Sequence, residues 1–258
     1  MDILQEIIAN KRTEVEKLKS ERPLDSIQDN LPDNLRFSFK RVLSNDTAIN
    51  IIAELKRGSP SRGLIASDFD PVKFARLYRE GGAAALSVLT DPKYFYGRYE
   101  YIEMVKLETG LPVLCKDFIL DPYQIYYARY MNADAILLIV KLLPSTTLSE
   151  FISLAQKLGL DCLVEVHGEE EVQAALDSGA DIVGVNNRNL HDFSVNLETS
   201  ETLAPFIPDD VVKIAESGIF TFADVTRLQA AGYTNFLVGE ALVVSDDPVS
   251  LLKSLRGG

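Results

Sequence analysis

The sequence predicts an α/β fold in which eight β-strands and eight α-helices alternate and close into a (βα)8 TIM barrel. Apolar runs of strand length alternate with helical segments from residue 50 to the end of the 258-residue chain. The runs are continuous, as in ILLIV at 136–140, which is typical of parallel strands buried on both faces. The length suits one barrel of about 250 residues, so we expect a single domain over residues 1–258.

The predicted strands cover residues 50–56, 83–89, 112–117, 134–140, 161–166, 181–186, 211–216 and 235–239. The predicted helices lie near 71–80, 99–109, 121–131, 147–158, 169–178, 196–205, 221–231 and 247–255. Asp-Pro pairs at 70–71 and 121–122 indicate helix starts, and Gly110, Gly159, Gly179 and Gly232 indicate helix ends. An open doubly wound sheet is the alternative. No GxGxxG motif follows a strand, and eight regular units favour closure.

Residues 1–48 are predicted to form a helical extension ahead of the barrel. In residues 2–20, apolar side chains at 3, 4, 7, 8, 15 and 18 have helical spacing, with charged residues on the other side. A polar connector follows from Pro23 to Asn50, with a second short helix expected around Phe37 to Leu43.

The composition excludes several classes of partner. A net charge of -12 and a pI near 4.7 argue against nucleic acid or an anionic membrane, whereas a small anionic molecule could still bind beside local cations. Cys115 and Cys162 lie in predicted strands without CxxC spacing, so we expect reduced core residues in a cytoplasmic protein. The N-terminus has no secretory h-region, and the longest apolar run, 135–140, is too short to cross a bilayer.

The first predicted strand carries two charges that a buried strand does not need. Glu54 and Lys56 are two residues apart and therefore point to the same side. A structural ion pair would explain one such pair, since buried charges are costly unless they are paired or used in chemistry.

Polar residues gather at the carboxyl ends of six predicted strands, which is the rim where barrel active sites lie. The set is Glu54, Lys56, Ser59, Lys116, Asp117, Glu165, Asn186, Asn187, Arg188, Glu216, Ser217, Gly239 and Glu240. Scattered structural ion pairs would not all fall on one rim, so the set indicates a functional site. Crowded carboxylates and ammonium groups shift each other's pKa values, which can keep a Lys acidic enough or a Glu basic enough for proton transfer near neutral pH.

The ends of the last two strands predict a phosphate site. AESGI at 215–219 and LVGEAL at 237–242 place glycines where backbone can approach a ligand, and residues 240–244 could form a short extra helix. No metal is implied, because His167 and His191 lie in loops and form no recognisable ligand set. We interpret both histidines as loop or helix-cap residues.

Characteristic strand-end motifs occur in order along the whole predicted barrel: IIAELKRGSPSRG, LSVLTDPKYFYG, LPVLCKDFILDPYQI, ADAILLIVKLL, CLVEVH, VGVNNRNL, VVKIAESGI and FLVGEAL. They resemble the successive strand-end motifs of the indole-3-glycerol phosphate synthase family. The leading helix is also similar to the N-terminal segment of that family.

The resemblance implies a carbon-carbon lyase (carboxy-lyase) of tryptophan biosynthesis that needs no cofactor. It would close 1-(2-carboxyphenylamino)-1-deoxyribulose 5-phosphate to indole-3-glycerol phosphate with loss of carbon dioxide and water. Lys116 matches the general acid of the ring closure. Glu54, Lys56 and Glu165 match residues of the later dehydration, with their individual steps left open. Asn186 and Ser217 complete the implied catalytic set.

The resemblance also implies the substrate-binding residues. Asn186 and Arg188 match residues that hold the anthranilate ring and its carboxylate. Phe95, Phe118, Leu137 and Leu190 match the aryl pocket, and Ser59, Ser217, Gly218, Gly239 and Glu240 match the phosphate site. Glu216 is also expected among the substrate-binding residues. Gly58 and Arg62 stand where Ala and Lys are more familiar, and Glu240 replaces a small residue. If the Glu240 backbone binds phosphate, its side chain should turn away.

Two alternatives stay open at this point. Phosphoribosylanthranilate isomerase would share the fold and the phosphate site but would use a Cys/Asp pair, and Cys115 has no evident partner. A non-catalytic sugar-phosphate sensor would gain nothing from the crowded Lys and Glu residues. We expect a monomer, with fusion to or association with other tryptophan-pathway enzymes left open.

Overall fold

The computed structural model of the chain describes residues 3–32, 38–60, 62–189 and 192–258. Within these ranges, eight parallel strands form a closed barrel in which neighbours in sequence pair and the last strand pairs with the first. They are β1 (Asn50–Leu55), β2 (Ala85–Leu89), β3 (Val113–Lys116), β4 (Ala135–Ile139), β5 (Asp161–Val166), β6 (Ile182–Asn186), β7 (Val212–Glu216) and β8 (Asn235–Val238). All eight lie within the predicted ranges, and the closed barrel confirms the predicted fold class.

Helices cover the outside of the barrel and follow the strands in turn. They are α4 (Pro71–Glu80), α5 (Glu100–Thr109), α6 (Pro122–Tyr130), α7 (Ser145–Lys157), α8 (Glu169–Asp177), α9 (Glu198–Leu203), α10 (Phe222–Ala230), the short α11 (Glu240–Val243) and α12 (Pro248–Leu255). The Asp70 and Asp121 carboxylates cap the N-termini of α4 and α6, as predicted. The predicted helix at 196–205 is shorter, because residues 204–206 tighten into a 3₁₀ turn.

Among the described residues, three helices precede the barrel: α1 (Ile3–Glu21), α2 (Leu24–Gln28) and α3 (Ser38–Leu43). The predicted second helix is confirmed from Ser38 onward, while Phe37 lies outside the described residues. The helix α2 has five residues, too few for a periodic signal in the sequence. The side chains of Phe39 and Leu43 are buried against the barrel interior, and the Lys40 amide donates to Asp161 at the start of β5. Thus α3 closes the amino-terminal end of the barrel.

The buried apolar residues form two clusters that reflect the two faces of the strands. Ile52, Leu114, Leu163 and Ile214 belong to the cluster inside the barrel, whereas their neighbours in sequence pack outward against the helices. Because side chains alternate, the residue two positions after each inward one also faces inward. This rule places the last residues of the strands in the opening at the carboxyl end, which we call the mouth.

The helix α1 is fixed to the rim of the mouth by a buried lysine. The Lys11 side chain is 1% exposed, and its Nζ lies 2.9 Å from Asp91 Oδ2 and 2.8 Å from Asp117 Oδ1. Glu14, on the next turn of α1, contacts the same Nζ at 2.9 Å. Asp91 follows β2 and Asp117 follows β3, so the cluster joins the extension to two strand ends. Asp117, a candidate from the sequence, therefore has an anchoring contact.

A small hairpin in the loop after β1 was not predicted. Residues Gly58–Ser59 and Gly63–Leu64 pair antiparallel. A side chain at position 58 would collide with the Gly63 carbonyl oxygen and the Tyr96 ring, which explains the glycine in place of the family's more familiar alanine. The hairpin sets the position of Ser59 and Arg62 beside the mouth.

Both cysteines are free and buried, as predicted. Cys115 faces outward from β3 into the helix layer, where burial raises the pKa of its thiol well above the usual range. Within the described residues, none of the helices has the length and apolar character needed to cross a membrane.

Replacing Lys11 by Met should lower the free energy of unfolding by about 3–5 kcal/mol, because it leaves buried carboxylates without their cation. Denaturant unfolding at pH 7 measures this. The matched control is Lys17→Met, which removes an exposed pair with Glu21 on the same helix and should cost less than about 1 kcal/mol. Equal losses in the two variants would contradict the anchoring role.

Candidate active site

A cavity of about 1140 Å³, including its open side, occupies the mouth of the barrel. Most of the residues predicted from the sequence line it: Glu54, Lys56, Ser59, Phe95, Lys116, Phe118, Leu137, Glu165, Asn186, Arg188, Ser217, Gly218, Gly239 and Glu240. Glu216 instead lies behind Lys116 with no exposed surface. Leu190 and His191 lie outside the described residues.

The centre of the site is a layer of four side chains from alternate strands. Glu54 of β1, Lys116 of β3, Glu165 of β5 and Glu216 of β7 each lie two residues after an inward apolar residue. Layers of four from alternate strands are the usual packing inside such a barrel. Here the topmost layer is charged, where an ordinary barrel core would hold Val, Ile or Leu.

Two glycines on the intervening strands make room for this layer. A side chain at Gly184 of β6 would collide with the Glu216 carboxylate, and one at Gly239 after β8 would collide with the Glu54 carboxylate. The absence of a Cβ at these positions lets the carboxylates lie across the barrel axis. The predicted role of Gly239 is to admit phosphate, and this stays a prediction; in the structure, the glycine makes room for the Glu54 carboxylate.

Lys116 joins two of the carboxylates. Its Nζ lies 2.8 Å from Glu216 Oε2 and 3.4 Å from Glu54 Oε2. The other oxygen of Glu54 contacts Lys56 Nζ at 2.7 Å, so one carboxylate bridges both lysines. The predicted common face of Glu54 and Lys56 is thus present.

These contacts fix the charge states of the layer. Burial alone would raise the pKa of Glu54, but Lys56 and Lys116 outweigh it and hold that pKa at about 2. Burial would lower the pKa of Lys116, but Glu216, Glu54 and Glu165 raise it well above the usual range. Burial raises the pKa of Glu216 to about 7 against the opposing effect of Lys116. The crowding therefore keeps Lys116 protonated; without a ligand, it does not make this lysine more acidic.

Glu165 differs from the other two carboxylates of the layer. It is buried and, unlike Glu54 and Glu216, forms no ion pair with a lysine among the described residues. Like Glu216 Oε1, its Oε1 has no hydrogen-bond partner among them. The nearest basic atom, His167 Nε2, is 3.5 Å from this oxygen. Glu165 is therefore the carboxylate of the layer least committed to a lysine.

One wall of the cavity is apolar and includes the N-terminal extension. Phe95 and Phe118 face each other with ring centroids 6.1 Å apart, and Leu137 lies beside them. Leu4 and Ile7 of α1 complete this wall. The sequence identified these two residues only as the apolar side of a helix, and their place over the mouth follows from the Lys11 anchor.

The opposite side carries an arginine pair bridged by a carboxylate. Glu240 Oε2 lies 3.0 Å from Arg188 Nη2, and Glu240 Oε1 lies 2.7 Å from Arg62 Nη2. Arg188 Nη1 also donates to the Phe193 carbonyl at 3.2 Å. The Glu240 side chain therefore lies in the mouth, because two guanidinium groups from different loops attract it. That it turns away from a bound phosphate stays a prediction.

The turn after β7 has an unusual backbone. Ser217 has φ +67° and Gly218 has φ +80°. A serine in the left-handed region costs about 1–3 kcal/mol and is held by its surroundings, typically at functional sites. The Asn187 amide donates to the Ser217 carbonyl at 3.2 Å, so Asn187 supports this turn. The sequence identified Asn187 only as a strand-end residue.

The fold and the site together define a (βα)8-barrel enzyme with an acid–base layer of lysines and glutamates, an apolar wall and an arginine pair. The family model described as indole-3-glycerol phosphate synthase matches residues 4–255. The chain belongs to the indole-3-glycerol phosphate synthase family, which confirms the resemblance drawn from the strand-end motifs.

Curated relatives of that name match almost the whole chain. The protein from Chlorobium chlorochromatii is 48% identical over 257 residues, covering 98% of this chain and 99% of that protein. The protein from Carboxydothermus hydrogenoformans is 42% identical over 260 residues, covering 98% of each. The comparisons give no support for the isomerase or sensor alternatives.

Solved structures of lower identity share the fold. The 3-hexulose-6-phosphate synthase of Salmonella typhimurium aligns with a TM-score of 0.66 at 14% identity, over 81% of this chain and 97% of that one. The thiamine phosphate pyrophosphorylase of Pyrococcus furiosus aligns with a TM-score of 0.61 at 19% identity, over 81% and 94%. At these low sequence identities, the structural similarity shows a shared barrel fold and does not extend to function.

Replacing Glu54 by Gln should change how stability responds to acid. The pKa of Glu54 in the folded protein, about 2, lies below the usual 4.5, so the charge of Glu54 stabilises the fold above pH 4.5. This stabilisation is lost as the pH falls from 4.5 towards 2, because the carboxylate becomes protonated. The difference in unfolding free energy between wild type and Glu54→Gln should therefore shrink across that window. Denaturant unfolding at stepped pH measures it. A constant difference contradicts the assignment, and Glu150→Gln, at an exposed position of α7, serves as control.

Proposed function

We propose that the chain catalyses the decarboxylating ring closure of 1-(2-carboxyphenylamino)-1-deoxyribulose 5-phosphate to indole-3-glycerol phosphate, and is thus a carboxy-lyase. The observation that carries this proposal is the charged layer of Glu54, Lys116, Glu165 and Glu216 beside an apolar wall. Family membership supports the same activity.

Lys116 is suited to the first step. The ring carbon that bears the carboxylate attacks the ketone carbon, and the carbonyl oxygen must take up a proton as the carbon–carbon bond forms. Lys116 is held in its protonated form by Glu54 and Glu216 and projects from the centre of the layer. It donates that proton, and the loss of carbon dioxide then restores the aromatic ring.

The dehydration needs a second acid and a base. The hydroxyl group made in the first step leaves as water, and the carbon next to the nitrogen loses a proton to form the indole double bond. Lys56, bound to Glu54 at 2.7 Å, is placed to protonate the leaving hydroxyl. We assign the proton removal to Glu165, because Glu54 and Glu216 are each neutralised by a lysine within 2.8 Å.

The remaining residues hold the substrate by its two ends. Phe95, Phe118 and Leu137 pack on the aryl ring, and Asn186 and Arg188 hold the ring and its carboxylate. Arg188 pairs with the Glu240 carboxylate at 3.0 Å, and the substrate carboxylate would take the place of Glu240 in this pair. The phosphate lies by Ser59 and the turns at Ser217–Gly218 and Gly239–Glu240, where it meets backbone amides.

The isomerase alternative also conflicts with the site chemistry. Its acid–base pair would need a cysteine in the mouth, but Cys115 faces the helix layer and is completely buried.

We further propose that the chain acts as a single-domain monomer, because a net charge of -12 opposes self-association. The biosynthetic pathway of its family supports a cytoplasmic location and this small anionic substrate.

The proposal is tested by mixing purified protein with the carboxyphenylamino deoxyribulose phosphate and following indole fluorescence. We expect turnover by wild type and at least a thousandfold loss of kcat in Lys116→Met, roughly the upper part of the range for a general acid. Binding of the substrate to Lys116→Met should stay within about tenfold of wild type. No turnover by wild type refutes the function, and a folded, active Lys116→Met refutes the role of Lys116.

Arg188→Ala should raise KM by about tenfold or more, because it removes a charge-assisted contact with the substrate carboxylate. Steady-state kinetics with the same fluorescence assay measure this. Arg76→Ala is the matched control, since Arg76 pairs with Glu108 on the outer surface, and its KM should equal that of wild type. An unchanged KM in Arg188→Ala contradicts its assigned role.

A further inference from the structure

His167 follows β5 and lies between two carboxylates. Its Nδ1 is 3.4 Å from Glu171 Oε2 of α8, and its Nε2 is 3.5 Å from Glu165 Oε1. The backbone amide of His167 donates to the same Glu171 oxygen at 2.8 Å, and this contact holds the carboxylate beside the ring. The sequence alone indicates only a loop or helix-cap residue at this position.

A neutral imidazole ring has too few N–H protons to donate to both of these carboxylates. A neutral ring carries one N–H and can donate to only one carboxylate, so its other nitrogen would direct a lone pair at the second carboxylate. Among the described residues, neither Glu165 Oε1 nor His167 Nε2 has a hydrogen-bond partner, although both are buried. Leaving two such buried atoms unsatisfied is unfavourable, and a shift of a few tenths of an ångström would join them.

The charges around the ring favour a proton on both nitrogens. Glu165 of β5, Glu171 of α8 and Glu216 of β7 act on it, and Lys141, in the turn after β4, acts on Glu171. Burial lowers the pKa of His167, but the hydrogen bond with Glu171 and the charges of the carboxylates outweigh burial and raise that pKa above its usual value. An imidazolium satisfies Glu171 and Glu165 together.

We propose that His167 is a positioning residue whose imidazolium, held by Glu171, donates from Nε2 to Oε1 of Glu165 and orients that carboxylate for proton removal. This inference rests on the proposed function, in which Glu165 takes the proton of the dehydration step. With Oε1 held by His167, Oε2 is directed into the mouth. His167 itself does not touch the substrate.

The contact can be tested without turnover. The sequence contains only two histidines, so the imidazole signals of His167 can be followed by NMR and assigned with His191→Asn. Glu165→Gln removes the charge facing Nε2 and should lower the titration midpoint of His167 by about 1 pH unit or more. An unchanged midpoint in Glu165→Gln overturns the proposal, whatever the activity of the wild type.

The kinetic test compares two replacements of the ring. His167→Ala removes the donor and should lower kcat by about tenfold or more with KM within about threefold, since a hydrogen bond to a charged group is lost behind the substrate. Gln can place an amide donor near the position of Nε2, so His167→Gln should retain kcat within about threefold. If Ala and Gln lower kcat equally, or if both leave it unchanged, the donor has no role.

The pH profile supplies a third readout. In wild type, kcat should fall as the pH rises through the NMR midpoint of His167, because the imidazolium then loses the proton that holds Glu165. His167→Gln cannot lose its donor and should lack that decline. A decline at the same pH in both proteins overturns the proposal. If wild type fails to convert the substrate while the NMR coupling is present, the proposed function fails and the contact stands.

Discussion

The ammonium group of Lys116, held between the Glu54 and Glu216 carboxylates, is the interaction on which the rest of the site depends. Charges at this depth are costly to bury and persist only when they are paired or used. The barrel supplies the pairing by geometry, since alternate strands direct one side chain each into the same layer. Glycines on the strands between them leave the space that the carboxylates need. A hydrophobic residue at any of the four positions would pack more easily but could not donate or accept a proton.

The N-terminal extension and the chemistry are linked through neighbouring residues. Asp117 pairs with Lys11 of α1, and the residue directly before it is Lys116. The same short segment thus directs Lys116 into the charged layer and the next side chain, Asp117, to the helix that it holds. Because α1 supplies Leu4 and Ile7 to the cavity wall, the anchor also determines how much of the apolar wall is shielded from water. Exclusion of water strengthens the electrostatic interactions of the layer below.

Much of this arrangement could be predicted because it follows from periodicity. Strand residues two apart share a face, so the common direction of Glu54 and Lys56, and the gathering of charges on one rim, follow from sequence alone. The ion pairs between residues that are distant in the chain cannot be predicted from this periodicity. Glu240 meets Arg188 and Arg62, which are distant in the chain, so its inward position was not foreseen. The spacing in the sequence does indicate that Lys11 is buried, because it lies four residues after Ile7 and four before Val15 on the apolar side of α1. It also indicates an inward direction for His167, which lies two residues after Glu165.

The buried lysine of α1 also bears on how the protein is made. During synthesis on the ribosome, Lys11 emerges roughly a hundred residues before Asp117, and the loop that must close between them is correspondingly long. Until β2 and β3 have formed, the amphipathic helix has no surface to dock on, and its leucine and isoleucine side chains remain in water. The helix α1 therefore reaches its native contacts only after β2 and β3 have been translated, and the wall that it supplies to the cavity is completed only when these strands have folded back onto it.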